Sequence, residues 1–156
     1  MYFAIVVLLM AVLPIASILI ELNFGHGGAV PLWLIGKWFV FWSVGVRMML
    51  AGLRQMFNPT FTAETIFGVK EAPALTIVRE LGFGNLSIGL LGALSLVNPA
   101  WIIPAAIVGG LFYGLAGFEH LRHGERNATE TVAMISDLFI FVVLALFLAA
   151  VALRPA

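Results

Sequence analysis

The sequence predicts an all-α membrane protein, a polytopic transmembrane bundle of five helices in which an N-terminal helix joins a four-helix core. Of its 156 residues, 62% are hydrophobic and only 10% are charged. Soluble domains carry about 25% charged residues, so this chain has too few charges to keep so apolar a surface in water. Its apolar stretches also approach the roughly 20 residues that cross the hydrocarbon of a bilayer.

The charge balance and the lack of cysteine narrow the function further. Eight Lys and Arg balance eight Asp and Glu, so no basic excess exists to bind nucleic acid. The chain has no Cys, which excludes disulfides, thiolate metal sites and cysteine nucleophiles. Its serines lie in apolar helices without an evident base, so the sequence does not favour an enzyme.

One domain, residues 1–156, holds all five predicted helices. Their expected bounds are about 2–21, 31–57, 73–97, 99–121 and 127–153. Pro73 suits a first helical turn because its missing N–H costs nothing there. Asn98 caps the fourth helix, and Asn127 with Glu130 three residues later has the capping-box spacing of the fifth. Mixed apolar and polar residues predict a short interfacial helix within 58–72.

Basic residues near the helix ends predict the orientation. The side with the N-terminus carries five of them: Arg54, Lys70, Arg79, Arg122 and Arg126. The other side carries Lys37 and Arg154. Because Lys and Arg accumulate in cytoplasmic loops, we expect the N-terminus in the cytoplasm and the C-terminus outside.

Charges inside the apolar helices are the main functional signal, since each costs roughly 2.5–3.5 kcal/mol to insert. Arg47 lies past the middle of the second helix, and Arg54 shares its face seven residues later. Glu130 and Asp137 repeat this spacing on the antiparallel fifth helix. Matching depths predict two ion pairs, Arg47 with Asp137 and Arg54 with Glu130.

Other polar residues at similar depth extend this cluster. Asn85 of the third helix has Glu80 below it, and Glu119 of the fourth helix lies at the same level. Two interpretations stay open. The charges neutralise one another and fix the packing, or they line a polar cavity, open to the cytoplasm, that binds an anionic or polar headgroup through Arg47.

A metal site is the other chemistry that the pattern allows. Glu119, His120 and His123 fall on one side of the fourth helix, and a carboxylate with two imidazoles suits a first-row metal. The same residues at a water interface also form an ordinary polar cluster. We predict no cofactor, and quinone or lipid stay open as ligands. Small residues four apart, Ala106, Gly110 and Gly114, predict close helix packing.

Three motifs carry a resemblance to known proteins: GVRMMLAGLRQMFNP at 45–59, RELGFGN at 79–85 and GLAGFEH at 114–120. They resemble small uncharacterised integral membrane proteins of the bacterial inner (plasma) membrane, similar in pattern to the DoxX-like superfamily of four-helix proteins. The resemblance covers about residues 40–145. It implies an inner-membrane location, and quinone-linked redox chemistry is associated with some DoxX-related proteins. Arg47, Asn85 and His120 match its recurring polar positions.

The favoured function is therefore non-enzymatic, either an accessory subunit of a membrane complex or a bundle that binds lipid or a small molecule. A quinone-interacting subunit of a membrane redox system is the first alternative. A small transporter or channel, working as an oligomer, is the second. Expected partners are membrane lipid and either other membrane subunits or further copies of the chain.

Overall fold

The computed structural model describes residues 2–25, 30–122 and 127–154, and over these ranges the chain is helical with no strand. The long helices are α1 (Tyr2–Phe24), α2 (Pro31–Phe57), α3 (Ala72–Leu94), α4 (Pro99–Arg122) and α5 (Ala128–Ala152). All five are long and apolar enough to cross a membrane, as predicted. α1 continues past the expected end at residue 21, and α3 stops at Leu94 instead of residue 97.

α3 ends early because the chain must turn to cap α4. Asn98 is extended, with ψ at 101°, and its side-chain oxygen accepts a hydrogen bond from the Ala100 N–H at 3.2 Å. An extended backbone is also what a residue before proline prefers. At α5 the Asn127 side chain accepts from the Glu130 N–H at 2.9 Å, which supplies the predicted cap.

Successive helices run in opposite directions, so the bundle has two ends. Contacts of Tyr2 with Arg47 and of Asn127 with Thr65 define one of them, called here the Tyr2 end. The opposite end carries the α3–α4 turn and is called the Asn98 end. Large apolar side chains cover the outside between the two ends, among them Ile77, Leu111, Leu115, Ile135 and Leu146. Exposed apolar surface of this extent is typical of a face that contacts a membrane or another protein.

α2 changes its neighbours along its length. Its first part, Pro31–Phe39, packs on α5, where the Phe147 ring fills the space beside Gly36. The middle part, Val40–Val46, is a π-helix that packs on α3 and α4. Its last hydrogen bond runs from the Arg47 N–H to the Trp42 carbonyl, five residues back. A π-helix turns the following side chains to a new direction.

The last part of α2, Arg47–Phe57, makes its main contacts with α3 through glycines. A Cβ on Gly52 would lie 2.6 Å from the Leu86 nitrogen, and one on Gly89 would lie 2.6 Å from the Met49 nitrogen. Contacts this short leave no room for a side chain, so the two backbones touch. This is the close approach that small residues allow between apolar helices.

α4 and α5 form a second tight pair. Three glycines of α4 face large side chains of α5: Gly110 faces Leu144, Gly114 faces Phe141 and Gly117 faces Leu138. α1 lies across α2, and its first turns, Tyr2–Val7, also contact α5. The bundle therefore consists of the pairs α2–α3 and α4–α5 with α1 against them.

A short π-helix, Phe61–Ile66, occupies the connection for which a short helix was predicted. Its Thr62 and Ala63 are buried, so the connection folds onto the Tyr2 end of the bundle. It packs on both α3 and α5. The connection thus covers the region where the two helix pairs face each other.

Replacing Gly89 by Ala should destabilise the protein, because the new Cβ would meet the Met49 backbone at 2.6 Å. Overpacking of this kind costs about 1–3 kcal/mol. Thermal unfolding of the purified chain in detergent measures the effect. Gly84→Ala on the same helix is the matched control, since no atom lies within 4 Å of its Cβ position and alanine favours helix. Equal unfolding midpoints for the two variants would contradict the glycine contact.

Candidate functional site

A partly open cavity of about 720 Å³ lies toward the Tyr2 end, between the α2–α3 pair and the α4–α5 pair. Its walls combine apolar side chains with a set of polar ones. The polar lining residues are Tyr2, Arg47, Gln55, Thr62, Asn85, Tyr113, Glu119, His120, Glu130 and Asp137. The volume falls in the range of about 300–1,000 Å³ that is typical of small-molecule sites.

Arg47 follows the π-helix of α2 and extends into this cavity. One guanidinium nitrogen, Nη2, donates to the Tyr2 hydroxyl at a long 3.4 Å, and the group lies 5.8 Å from the centre of the Tyr2 ring. Its Nε is buried and has no hydrogen-bond partner. A buried donor without a partner is costly, so this nitrogen needs an acceptor.

Asp137 lines the same cavity from α5. Within the described residues it has no hydrogen bond and no ion-pair partner within 4.0 Å, so the predicted pair with Arg47 is not formed. The reason lies in α1. Its first turns contact α5 and place the Tyr2 ring beside Arg47, where Asp137 was expected.

Arg54 also departs from the predicted pairing. Its guanidinium carbon lies 3.5 Å from the centre of the Phe61 ring, and Arg54 does not line the cavity. The Phe61 ring lies 5.9 Å from the Tyr2 ring, which in turn faces Arg47. The two arginines are therefore stabilised by aromatic rings through cation–π contacts rather than by carboxylates.

Glu130, the expected partner of Arg54, instead lies 3.2 Å from the His120 ring nitrogen Nδ1. Both side chains are largely buried, with 10% of Glu130 and 12% of His120 exposed. The Phe67 ring stacks near His120, with centres 6.4 Å apart. This pair joins α4 to α5 at the edge of the cavity, next to the connection.

Asn85 is 4% exposed and points into the cavity from α3. Its Nδ2 donates to Gln55 Oε1 on α2 at 2.7 Å, while its Oδ1 is buried without a partner. Exchanging the two ends of each amide would leave Nδ2 unpaired instead. In either orientation Asn85 has one hydrogen-bonding atom left for a ligand.

The remaining predicted site residues lie at the margin. Glu80 is exposed and does not line the cavity. Glu119 does line it, is mostly exposed, and lies 3.7 Å from Arg122. The third predicted metal ligand, His123, is outside the described residues. No group of three metal-binding side chains occurs in the part of the chain that the structure describes.

Lys37 belongs to a separate polar contact at the Asn98 end. Its Nζ lies 2.8 Å from the Glu21 carboxylate, which also accepts from Trp38 Nε1 at 2.7 Å. Below them Trp42 Nε1 donates to the Ser17 hydroxyl at 3.0 Å. These contacts attach α1 to α2 and do not continue the cavity.

Four polar cavity residues were missed by the sequence interpretation: Tyr2, Gln55, Thr62 and Tyr113. Tyr113 donates from its hydroxyl to the Ser43 carbonyl, in the π-helix of α2, at 2.5 Å. Gln55 holds Asn85, and Tyr2 meets Arg47. Gln55 was the detectable one, because it is a polar amide within an apolar helix that also carries Arg47 and Arg54.

The chain belongs to the family of unknown function DUF6790, whose model matches residues 1–155. No curated protein and no solved structure matches it. The family agrees with the uncharacterised family predicted from the sequence, and nothing in the match connects the chain with the DoxX-like superfamily. A function must therefore be inferred from the chemistry of the cavity.

A single cysteine introduced at Ala116, which lines the cavity, should react with a small water-soluble methanethiosulfonate reagent. The chain has no cysteine of its own, so the mass shift of the intact protein reports this one thiol. Ala105→Cys on the same helix is the control, since Ala105 is fully buried and outside the cavity. Equal protection of both thiols would argue against a water-accessible cavity, because thiol reactivity follows exposure.

Proposed function

We propose that the protein is a multi-pass protein of the bacterial inner membrane that binds a small polar or amphiphilic molecule in the cavity between its helix pairs. Binding without catalysis is the proposed activity, and it makes the chain a lipid- or small-molecule-binding bundle. Membrane lipid is proposed to surround the apolar flanks of the bundle. Other membrane subunits or further copies of the chain are proposed as protein partners, with the binding bundle as their accessory component.

The observation that carries this proposal is the arrangement of Arg47 and Asp137. Opposite charges line one cavity in apolar helices, yet neither completes a direct ion pair within the described residues. A purely structural pair would be expected to close, since burying an uncompensated charge is strongly unfavourable. In addition, the Nε of Arg47 and one amide atom of Asn85 lack a hydrogen-bond partner in the same cavity. A bound molecule that pairs with these charges and atoms would remove the energetic cost of leaving them unpaired.

The proposed membrane setting has separate support. Apolar side chains cover the flanks of the bundle, and five helices have suitable length and composition. Four basic residues of the described chain lie at or near the Tyr2 end: Arg54, Lys70, Arg79 and Arg122. The positive-inside rule then favours a cytoplasmic Tyr2 end, so that the cavity lies in the cytoplasmic half.

A quinone is the second candidate ligand, because the cavity combines apolar walls with donors and acceptors that suit carbonyl or hydroxyl oxygens. An absorption spectrum and solvent extraction of the purified protein separate it from a lipid. Transport gains no comparable support. Lys37, which would have to continue a polar path toward the Asn98 end, is bound to Glu21 between α1 and α2.

The proposed orientation predicts opposite accessibility for two single cysteines in intact cells. Leu153→Cys lies at the C-terminal end and should react from outside with a membrane-impermeant maleimide. Glu71→Cys, in the exposed connection before α3, should react only after permeabilisation. Neither substitution changes the number of basic residues. The reverse pattern would place the cavity in the outer half, and labelling of both thiols in sealed cells would contradict the five-span topology.

The binding proposal predicts that a small molecule copurifies with the protein and is lost in Arg47→Gln and Asp137→Asn. Losing one hydrogen bond to a charged group costs about 1.5–3 kcal/mol, so occupancy should fall about tenfold or more. Mass spectrometry of the extracted protein measures it. Arg79→Gln and Glu80→Gln are matched controls outside the cavity and should keep the molecule. Unchanged occupancy in the two cavity variants would refute binding at this site.

A further inference from the structure

We infer that the ligand of the cavity is a zwitterionic amphiphile, with an acidic oxygen and an N–H-bearing ammonium in its head and a chain that leaves sideways between α3 and α4. The inference rests on the proposed function and names the ligand class for the same site. It follows from the unpaired groups of the cavity and from the place where its wall is open.

Arg47 determines the acidic part of the head. Its guanidinium makes one long hydrogen bond, to Tyr2, and its buried Nε makes none within the described residues. A guanidinium presents a planar set of donors that matches a phosphate or carboxylate, with which it forms strong paired hydrogen bonds. An acidic oxygen is therefore the group that satisfies Arg47.

Asp137 determines the basic part. Its carboxylate faces the cavity and lacks a hydrogen bond or ion pair among the described residues. A carboxylate is an acceptor only, so it needs a donor, and a positively charged donor also balances its charge. A primary ammonium supplies both, with further N–H groups for a neighbouring acceptor. The unpaired Oδ1 of Asn85, in the same cavity, is such an acceptor.

The balance of charge favours a ligand that carries both groups. A simple anion would satisfy Arg47 and leave Asp137 beside a second negative charge. A simple cation would do the opposite. The other cavity carboxylates have basic neighbours, since Glu130 lies 3.2 Å from His120 and Glu119 lies 3.7 Å from Arg122. Among the described lining residues, the cation Arg47 and the anion Asp137 remain without an ion-pair partner, and a zwitterion complements both.

We infer an opening in the cavity wall between α3 and α4 from the exposure of the residues that line it there. Leu115 of α4 lines the cavity, yet 62% of its surface is exposed, so the cavity and the outer surface meet there. Leu81 of α3 lines the facing side. Near it, a Cβ on Gly84 would meet no atom within 4 Å. Apolar residues around an opening at membrane depth suit a hydrocarbon chain and disfavour a ligand that is wholly polar.

Three lysophospholipids with the same chain test the head chemistry on the full-length protein in detergent. They are lysophosphatidylethanolamine, lysophosphatidylcholine and lysophosphatidylglycerol, and native mass spectrometry measures their binding. We expect the ethanolamine form to bind about tenfold more tightly than the anionic glycerol form. The choline form should also bind more weakly than the ethanolamine form, because its ammonium has no N–H to donate.

Variants connect that preference to the residues. Asp137→Asn should bring the ratio of ethanolamine to glycerol binding close to one, while Glu80→Gln should leave the ratio unchanged. Arg47→Gln should weaken both lipids, since both carry the phosphate. A ratio between two ligands of one protein sample does not depend on how much of the sample is folded.

A pair of tryptophan substitutions tests the opening. Leu115→Trp should block the chain and weaken binding of the ethanolamine lysolipid. Leu111→Trp, one turn away on the same helix, is 59% exposed and outside the cavity, so it should have no effect. Equal binding in the two variants would overturn the sideways exit. Equally tight binding of glycerophosphoethanolamine, which has the head without the chain, would overturn the amphiphile and indicate a water-soluble zwitterion.

The remaining outcomes separate this inference from the proposed function. If the glycerol lipid binds as tightly as the ethanolamine lipid, the site is an anion site and the zwitterion is refuted, while binding in the cavity stands. If no lysolipid binds but a copurified molecule is still lost in Arg47→Gln, the ligand class is wrong. If neither a copurified nor an added molecule binds, water alone fills the cavity and the proposed function fails as well.

Discussion

The contact between the backbones of α2 and α3 is the constraint on which the cavity depends. Gly52 and Gly89 leave no space for a side chain, so the Arg47–Phe57 part of α2 is held against α3. The other end of α2 is held against α5, where Phe147 fills the space beside Gly36. One helix therefore has different partners at its two ends. The α4–α5 pair meets α2 toward the Asn98 end and faces it across a gap toward the Tyr2 end.

The π-helix Val40–Val46 lies where this change of partner occurs. It changes the direction of the side chains that follow, and its Ser43 carbonyl accepts the Tyr113 hydroxyl of α4 at 2.5 Å. The π-helix and the hydrogen bond that joins it to α4 therefore lie side by side next to the cavity. π-Helical turns are frequent at functional sites, and here the turn directly precedes Arg47, the cation that the proposed ligand needs.

The sequence predicted the parts of this structure that depend on position along a helix. Helix length follows from apolar runs, and the cap at Asn127 follows from local chemistry. Counting residues also placed Arg47 and Asp137 at one depth, and both line the cavity. The direction in which each side chain points around its helix axis was not predictable in the same way. It depends on the π-helix and on which helix lies alongside, so Tyr2 beside Arg47 and His120 beside Glu130 could not be derived from spacing.

The unpaired charges bear on stability as well as on binding. Arg47 and Asp137 lower the stability of the empty bundle, because neither has an ion-pair partner among the described residues and the Nε of Arg47 has no acceptor. Natural proteins retain locally unfavourable groups of this kind mainly where function requires them. A ligand that binds the folded state alone adds stability in proportion to its saturation of the site. The proposed zwitterion would therefore have two effects: it would complete the hydrogen bonds of the cavity, and it would connect α2 to α5, between which the described residues form no ion pair.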